Sequence, residues 1–229
     1  MKMPPLHMTV TIPQPCRISD LLRASQKAAG RHLDELGLQN AAPEAGLAWF
    51  IVRIRMELLG DPTPTMEAET WPGFTKKGMM PRYCVLRNEK GEEIAYFQTV
   101  WALADRTTRQ MLLESAIDVP DMSRGDEPPL PRSLGKKDLP LLGKFIPTPE
   151  QIDKNAHMNN AAYPDAAEAF YLPLMKGRPL RSFAIDYRAE ILPGTEISLY
   201  GGEPEDGCIY LSGRSDEKEH FRMMLTCGA

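Results

Sequence analysis

Asp153, Asn155 and His157 occupy every second position of the stretch Asp153-Lys154-Asn155-Ala156-His157-Met158-Asn159-Asn160. In an extended segment alternate side chains point the same way, so a carboxylate, an amide and an imidazole would share one site. Tyr163, Ala166, Ala167, Phe170 and Leu174 follow at intervals of three and four. That spacing predicts a helix over 160–175 with one buried stripe, capped by Asn159 or Asn160. A helix start leaves backbone N–H groups free and carries roughly half a positive charge, which can polarise a carbonyl or hold an oxyanion. Electrophile stabiliser and acid/base groups would then sit together. The same residues also suit a plain turn built by Asp153 and Asn155, with His157 a satisfied loop histidine.

The order Asp-x-Asn-x-His-x-Asn-Asn followed by Tyr163 resembles the active-site loop of the acyl-ACP thioesterases. Downstream, Ile185-Asp186-Tyr187-Arg188-Ala189-Glu190 is similar to that family's strand ending in a catalytic Glu. Upstream, Ala48-Trp49-Phe50-Ile51-Val52-Arg53-Ile54, Glu67-Ala68-Glu69-Thr70-Trp71-Pro72 and Val100-Trp101-Ala102-Leu103, then Thr107-Thr108-Arg109, resemble its first half in the right order. The likeness runs from residue 7 to residue 226. It implies an α+β protein of two tandem hot-dog domains, each an antiparallel sheet wrapped around a long helix. The implied activity is hydrolysis of fatty acyl-acyl carrier protein, ending fatty acid synthesis, with the carrier protein as partner and no cofactor.

Thioester hydrolysis needs an activated water or a carboxylate nucleophile, and donors for the tetrahedral oxyanion. The resemblance puts Asp153, Asn155, His157 and Glu190 in the catalytic set. Glu190 and His157 would activate water, Asn155 would position it or the thioester, and Asp153 would orient the network or attack directly. Asp153 as nucleophile and Glu190 as base remain alternatives. Ile191 stands where plant members often carry Cys, so a cysteine nucleophile has no support. Phe183, Ile185, Tyr187 and Ala189 share one strand face, which puts Glu190 opposite them unless the strand bends first. A solvated strand-end carboxylate is the plain alternative for Glu190. Asn159, Asn160 and Trp49 are the substrate-binding candidates, joined by Lys136 and Lys137 for an acidic carrier. Lys76, Lys77, Arg82, Arg178 and Arg181 extend that expected basic rim. An acyl-CoA thioesterase and a noncatalytic acyl-binding hot dog are the competing readings.

Composition narrows the field in the same direction. The chain has 229 residues, enough for one large domain or two of about 110. A formal charge of −4 argues against general nucleic-acid binding. No apolar run approaches the ~20 residues that span a bilayer and the start lacks an apolar leader, so a cytoplasmic protein with no membrane partner is expected. Cys16, Cys84, Cys208 and Cys227 are scattered, predicting reduced structural thiols. The histidines lack zinc-site spacing, so no metal is expected. No Gly-x-Ser-x-Gly elbow or phosphate loop is present.

Elements that could position the site appear twice. Strands are expected at 8–14, 47–58, 65–71, 79–88 and 93–104, with a helix between the first two running from an Ser19 cap to Gly37. Leu22, Ser25, Ala29, His32 or Leu33, and Leu36 would form its buried stripe. After a proline-punctuated stretch come strands at 144–148, 181–191, 195–202, 207–214 and 218–226, with the helix at 160–175. Strand, helix, four strands therefore occurs in each half, the pattern of a duplication. The domains are expected at 1–105 and 144–229, joined by a linker at 106–143 with a short helix at 109–116. In the first half Pro15-Cys16-Arg17-Ile18-Ser19-Asp20 replaces the polar loop, so that half's own site should be dead and the half should shape an acyl tunnel. With the pairing of hot dogs satisfied internally, a monomer or a homodimer would suit.

Overall fold

Alternating apolar residues and turn residues with special backbone freedom set the strands, and the duplication is visible in how they pair. The structure is a computed structural model describing residues 4–38, 40–108, 110–112, 117, 119–216 and 218–228. The helix expected at 109–116 falls largely outside them. The chain divides into two compact units, Met1–Cys16 with Leu21–Pro131, and Arg17–Asp20 with Arg132–Ala229.

The first unit runs β1 (Leu6–Thr11), α1 (Ile18–Glu35), a one-turn α2 (Ala41–Glu44), β2 (Leu47–Leu58), β3 (Thr65–Pro72), β4 (Met79–Arg87) and β5 (Glu93–Asp105). Its antiparallel sheet has the order β1-β3-β4-β5-β2. The second unit runs β6 (Leu141–Phe145), α3 (Tyr163–Met175), β7 (Leu180–Tyr187), β8 (Ile197–Glu205), β9 (Cys208–Ser215) and β10 (Lys218–Cys227). Its order is β6-β8-β9-β10-β7, the same path strand for strand. Two of the expected boundaries shift: β6 starts at Leu141 rather than 144, and β7 stops at Tyr187 rather than 191.

The start of α1 differs from the expected Ser19 cap. The helix begins at Ile18, Ser19 is fully buried inside its first turn, and the Asp20 carboxylate accepts the Arg17 N–H at 3.0 Å. An acid three residues into the helix thus satisfies the backbone donor that precedes it. At the other end Gly37 takes φ +69°, and the Gly37 and Leu38 N–H groups reach back to Asp34 and Leu33 carbonyls. A residue with a Cβ would strain this left-handed closure.

Each sheet buries one face under its helix. In the second unit Phe183, Ile185, Ile197, Leu199, Ile209, Leu211, Phe221, Met223 and Leu225 are fully or almost fully buried, and α3 packs over β6, β8 and β9. In the first unit Leu21, Leu22, Ala28 and Ala29 of α1 are buried with His32, Thr70 and Arg82.

The proline-rich stretch is not a free connection. Pro128, Pro129 and Pro131 have no N–H to offer, so they meet the first sheet through their carbonyls. Gln98 donates to the carbonyls of Pro128 and Pro129, and Arg53 to that of Pro131. Trp71 donates its indole N–H to Glu127 at 3.0 Å, and the Arg124 guanidinium stacks 3.5 Å from the Trp71 ring centre. Residues 133–140 cross the second sheet in the same manner. Ser133 and Leu134 donate to the buried Asp186 carboxylate, Arg222 donates to the Leu134 carbonyl, Tyr210 to that of Gly135, and Gly201 to that of Pro140. Among the described residues no helix is long and apolar enough to cross a membrane.

Candidate active site

Residues 151–159 form a small closed hairpin in front of α3, not the extended segment that the alternation predicts. Ile152 bridges Met158, Asn159 N–H bonds to Gln151 O at 2.8 Å, and Asp153 N–H bonds to His157 O at 2.9 Å. Asp153 and His157 are therefore the pair at the neck of the hairpin, and Lys154, Asn155 and Ala156 form its tip. A turn closes the tip, with Ala156 N–H on Asp153 O at 3.0 Å and Ala156 itself at φ +60°. That conformation suits Gly or Asn and costs an alanine on the order of 1 kcal/mol, so the loop is held by its other contacts.

The neck gathers the three polar side chains by a different route from the one expected. The Asp153 carboxylate accepts the Asn155 N–H at 2.8 Å and the Asn155 side-chain amide at 3.4 Å. His157 Nδ1 lies 3.7 Å from Asp153 Oδ1 and 3.4 Å from the Met158 carbonyl. The first distance is electrostatic contact, not a hydrogen bond. Asp153 and His157 each keep about 20 % of their side-chain surface exposed, and Asn155 is open to solvent. Asp153 does organise a turn, as the plain reading of the sequence has it; its carboxylate holds Asn155 by hydrogen bonds, and its backbone bond to His157 brings the imidazole beside the same carboxylate.

Asn159 fills its expected role as cap. Its side chain accepts the Ala161 N–H at 2.9 Å, and Asn160–Ala162 make a 3-10 turn that hands over to α3 at Tyr163. The Asn160 carbonyl accepts the Tyr187 hydroxyl at 2.6 Å.

Glu190 does not end a strand. Hydrogen-bonded pairing of β7 with β10 finishes at Tyr187 with Phe221, the chain bends at Ala189, and Glu190 follows the bend. The second alternative drawn from the sequence, a bend before Glu190, is the one realised. From one side Met158 N–H bonds to the Ile191 carbonyl at 2.8 Å, which ties this segment to the hairpin. From the other, His220 Nδ1 donates to the Glu190 carbonyl at 3.0 Å.

Tyr163 joins the two segments. It is buried and packs edge-on against Tyr187 and Phe221, with ring centres 5.1 and 5.2 Å away. Burial raises its hydroxyl pKa, and the Glu190 and Asp153 carboxylates push the same way. The phenol is thus within electrostatic reach of both acids. Gly213 permits this stack, because a Cβ there would come within 2.1 Å of the Phe221 ring. Neither Gly213 nor His220 carried a signal in the sequence, since each acts through strand register. Tyr163 was legible as part of the motif.

The remaining candidates lie on other elements. Trp49 is half-buried in the first unit, packed against Ala42, Leu47, Leu103 and Ile117. Lys136 and Lys137 are exposed on the segment that crosses the second sheet, with Lys137 4.0 Å from Glu205. One member of the expected basic rim is corrected. Arg82 is 3 % exposed, because its position on β4 shares the α1-facing side with Cys84, and it bonds to His32 Nδ1 at 3.1 Å. Arg178 is held by Glu203 and by Asp206.

The acyl-ACP thioesterase N-terminal domain matches residues 6–115, and the acyl-ACP thioesterase C-terminal domain matches residues 142–226. A chloroplastic palmitoyl-acyl carrier protein thioesterase of Gossypium hirsutum is 25 % identical over 205 residues, covering 77 % of this chain and 48 % of the relative. A chloroplastic acyl-[acyl-carrier-protein] hydrolase of Cuphea viscosissima is 24 % identical over 195 residues, covering 76 % and 47 %. The chain spans about half the length of the curated relatives it matches. Among solved structures, an acyl-ACP thioesterase from Bacteroides thetaiotaomicron superposes with a TM-score of 0.83 at 18 % identity, covering 98 % of both chains. A 12:0-ACP thioesterase from Umbellularia californica gives 0.80 at 18 % identity, covering 97 % of this chain and 96 % of that one. The fold is the α+β hot dog that the sequence led us to expect.

Proposed function

Because the chain belongs to the acyl-ACP thioesterase family, we propose that it hydrolyses fatty acyl-acyl carrier protein to free fatty acid and carrier protein, the reaction that ends acyl-chain synthesis. The observation that carries this reading is the hairpin neck, where Asp153 holds Asn155 and His157 in front of a helix start while Met158 ties Glu190's neighbour to the same loop. In this reading Glu190 takes a proton from water as the water attacks the thioester carbonyl. That proton passes to His157, which delivers it to the departing thiolate, so that Glu190 and His157 both return to their starting states. Asn155 at the open tip holds the water or the thioester, and the positive end of α3 faces the developing oxyanion. The hydrogen bonds that Asp153 already accepts from Asn155 favour an orienting role for it over direct attack, because they lower the nucleophilicity of the carboxylate. Lys136 and Lys137 are the candidate contacts for the acidic carrier, and Trp49 for the acyl chain.

A panel of acyl-ACP and acyl-CoA thioesters of matched chain length tests the reading. The expected result is hydrolysis with kcat/KM at least about tenfold higher for the carrier-bound thioesters. Equal use of both would assign a broader acyl-CoA hydrolase, and tight acyl binding without turnover would assign a binding module.

A further inference from the structure

A β-bulge sits next to the bend that carries Glu190. Along β10, Glu219 pairs with Arg214 and Phe221 pairs with Gly213, so His220 is an extra residue with no partner of its own on β9. Its carbonyl accepts two N–H groups, from Arg188 at 2.8 Å and Ala189 at 3.2 Å. One acceptor serving two successive donors ends the regular ladder with β7 and turns the chain where it bends. Bulges of this kind re-aim a side chain or terminate pairing.

The imidazole completes the same arrangement. His220 is 3 % exposed. Nδ1 lies 3.0 Å from the Glu190 carbonyl and Nε2 lies 2.6 Å from Ser215 Oγ. A carbonyl can only accept, so Nδ1 carries the proton and Nε2 accepts the Ser215 hydroxyl. Burial lowers the imidazole's pKa and favours this neutral form. The Glu190 carbonyl thus fixes the tautomer, Ser215 holds the ring from its other nitrogen, and Met158 fixes the Ile191 carbonyl from the other side.

We propose that His220, held by Ser215 and seated in the β10 bulge, is a positioning residue that sets where the Glu190 carboxylate stands. This rests on the reading of Glu190 as the base. His220 touches the backbone of Glu190 and not the reacting atoms, so its loss displaces the base without altering substrate binding. A displacement near 1 Å costs about 10- to 100-fold in rate.

The test is a double-mutant cycle on acyl-ACP hydrolysis with His220→Ala, His220→Asn and Glu190→Gln, with thermal melts to confirm folding. His220→Ala is expected to lower kcat about 10- to 100-fold at unchanged KM. His220→Asn, whose amide N–H can take the place of Nδ1–H, is expected to recover most of that loss. In the Glu190→Gln background His220→Ala should cost nothing further. Full additivity in the cycle, or an unchanged kcat in folded His220→Ala, overturns the inference while leaving the assignment of Glu190 intact. An unchanged kcat in Glu190→Gln overturns that assignment and this inference together. If His220→Ala does not fold, Ser215→Ala runs the same cycle. It is expected to give a smaller loss that also vanishes with Glu190→Gln, and additivity there overturns the inference equally.

Discussion

The two repeats pair their strands in the same order and place their polar chemistry in opposite locations. Between β1 and α1 the first repeat has only residues 12–17, and the chain passes directly into the helix. Between β6 and α3 the second has residues 146–162, and the added length folds as the hairpin that gathers Asp153, Asn155 and His157. The first repeat instead buries one histidine and one arginine under the helix. His32 is 2 % and Arg82 3 % exposed, their contact is 3.1 Å, and one terminal nitrogen of Arg82 has no hydrogen-bond partner among the described residues. Burial lowers the His32 pKa to about 4, helped by the positive charge of Arg82, and burial lowers that of Arg82 to about 10. One duplicated scaffold therefore yields a closed polar core in one half and an open polar loop in the other.

The contrast is sharpest if the same substitution is made in both halves. His157→Gln should lower kcat for acyl-ACP by about 10²- to 10⁴-fold, the share typical of a general acid or base. His32→Gln should leave kcat within about threefold of the wild type, since that side chain has no role in the proposed reaction. Steady-state kinetics on the two purified variants decides the matter. A comparable loss in both would erase the distinction between the halves.

A smaller effect separates them by stability. His32 has a folded-state pKa of about 4 against an ordinary 6.5. Between those values the unfolded chain binds a proton that the folded chain refuses. The stabilisation is complete above pH 6.5 and is lost as pH falls to about 4, by about 2 to 3 kcal/mol. Denaturant melts from pH 7 to pH 4 should show this loss, and His32→Gln should reduce it. His220 is depressed in the same direction by burial, so part of the loss will remain in that variant. A pH dependence unchanged by His32→Gln would show that His32 stays neutral in the unfolded chain or charges without cost in the folded one.

Much of this architecture could be read from the residues. Alternation across 47–58 and the Asn88–Glu92 turn located β2, β4 and β5 to within a residue or two, because apolar period and turn chemistry act locally. The stripe of α1 and its closure at Gly37 were legible for the same reason. The hairpin at 151–159 was hidden, since its tip uses Ala156 where a left-handed residue would ordinarily be Gly or Asn. Arg82 read as surface charge because a lone arginine in a strand gives no sign of which face is covered by a helix. The bend before Glu190 depends on a bulge in β10, some thirty residues further along the chain. The alternation around Glu190 leaves the bend as one of two alternatives, and the non-local register that decides between them is not written there. Asp153, Asn155 and His157 were thus identifiable as candidates by type and spacing, Glu190 by resemblance alone, and the geometry of all four was not.

The most direct test of the account is single-turnover hydrolysis of an acyl-ACP by Asp153→Ala and Glu190→Gln beside the wild type, with melting temperatures measured on the same preparations. Rates lower by about 10²- to 10⁴-fold in both variants, at nearly unchanged melting temperature, are the predicted result. A wild-type rate in either folded variant would contradict the assignment of the chemistry to this loop and the bend beside it.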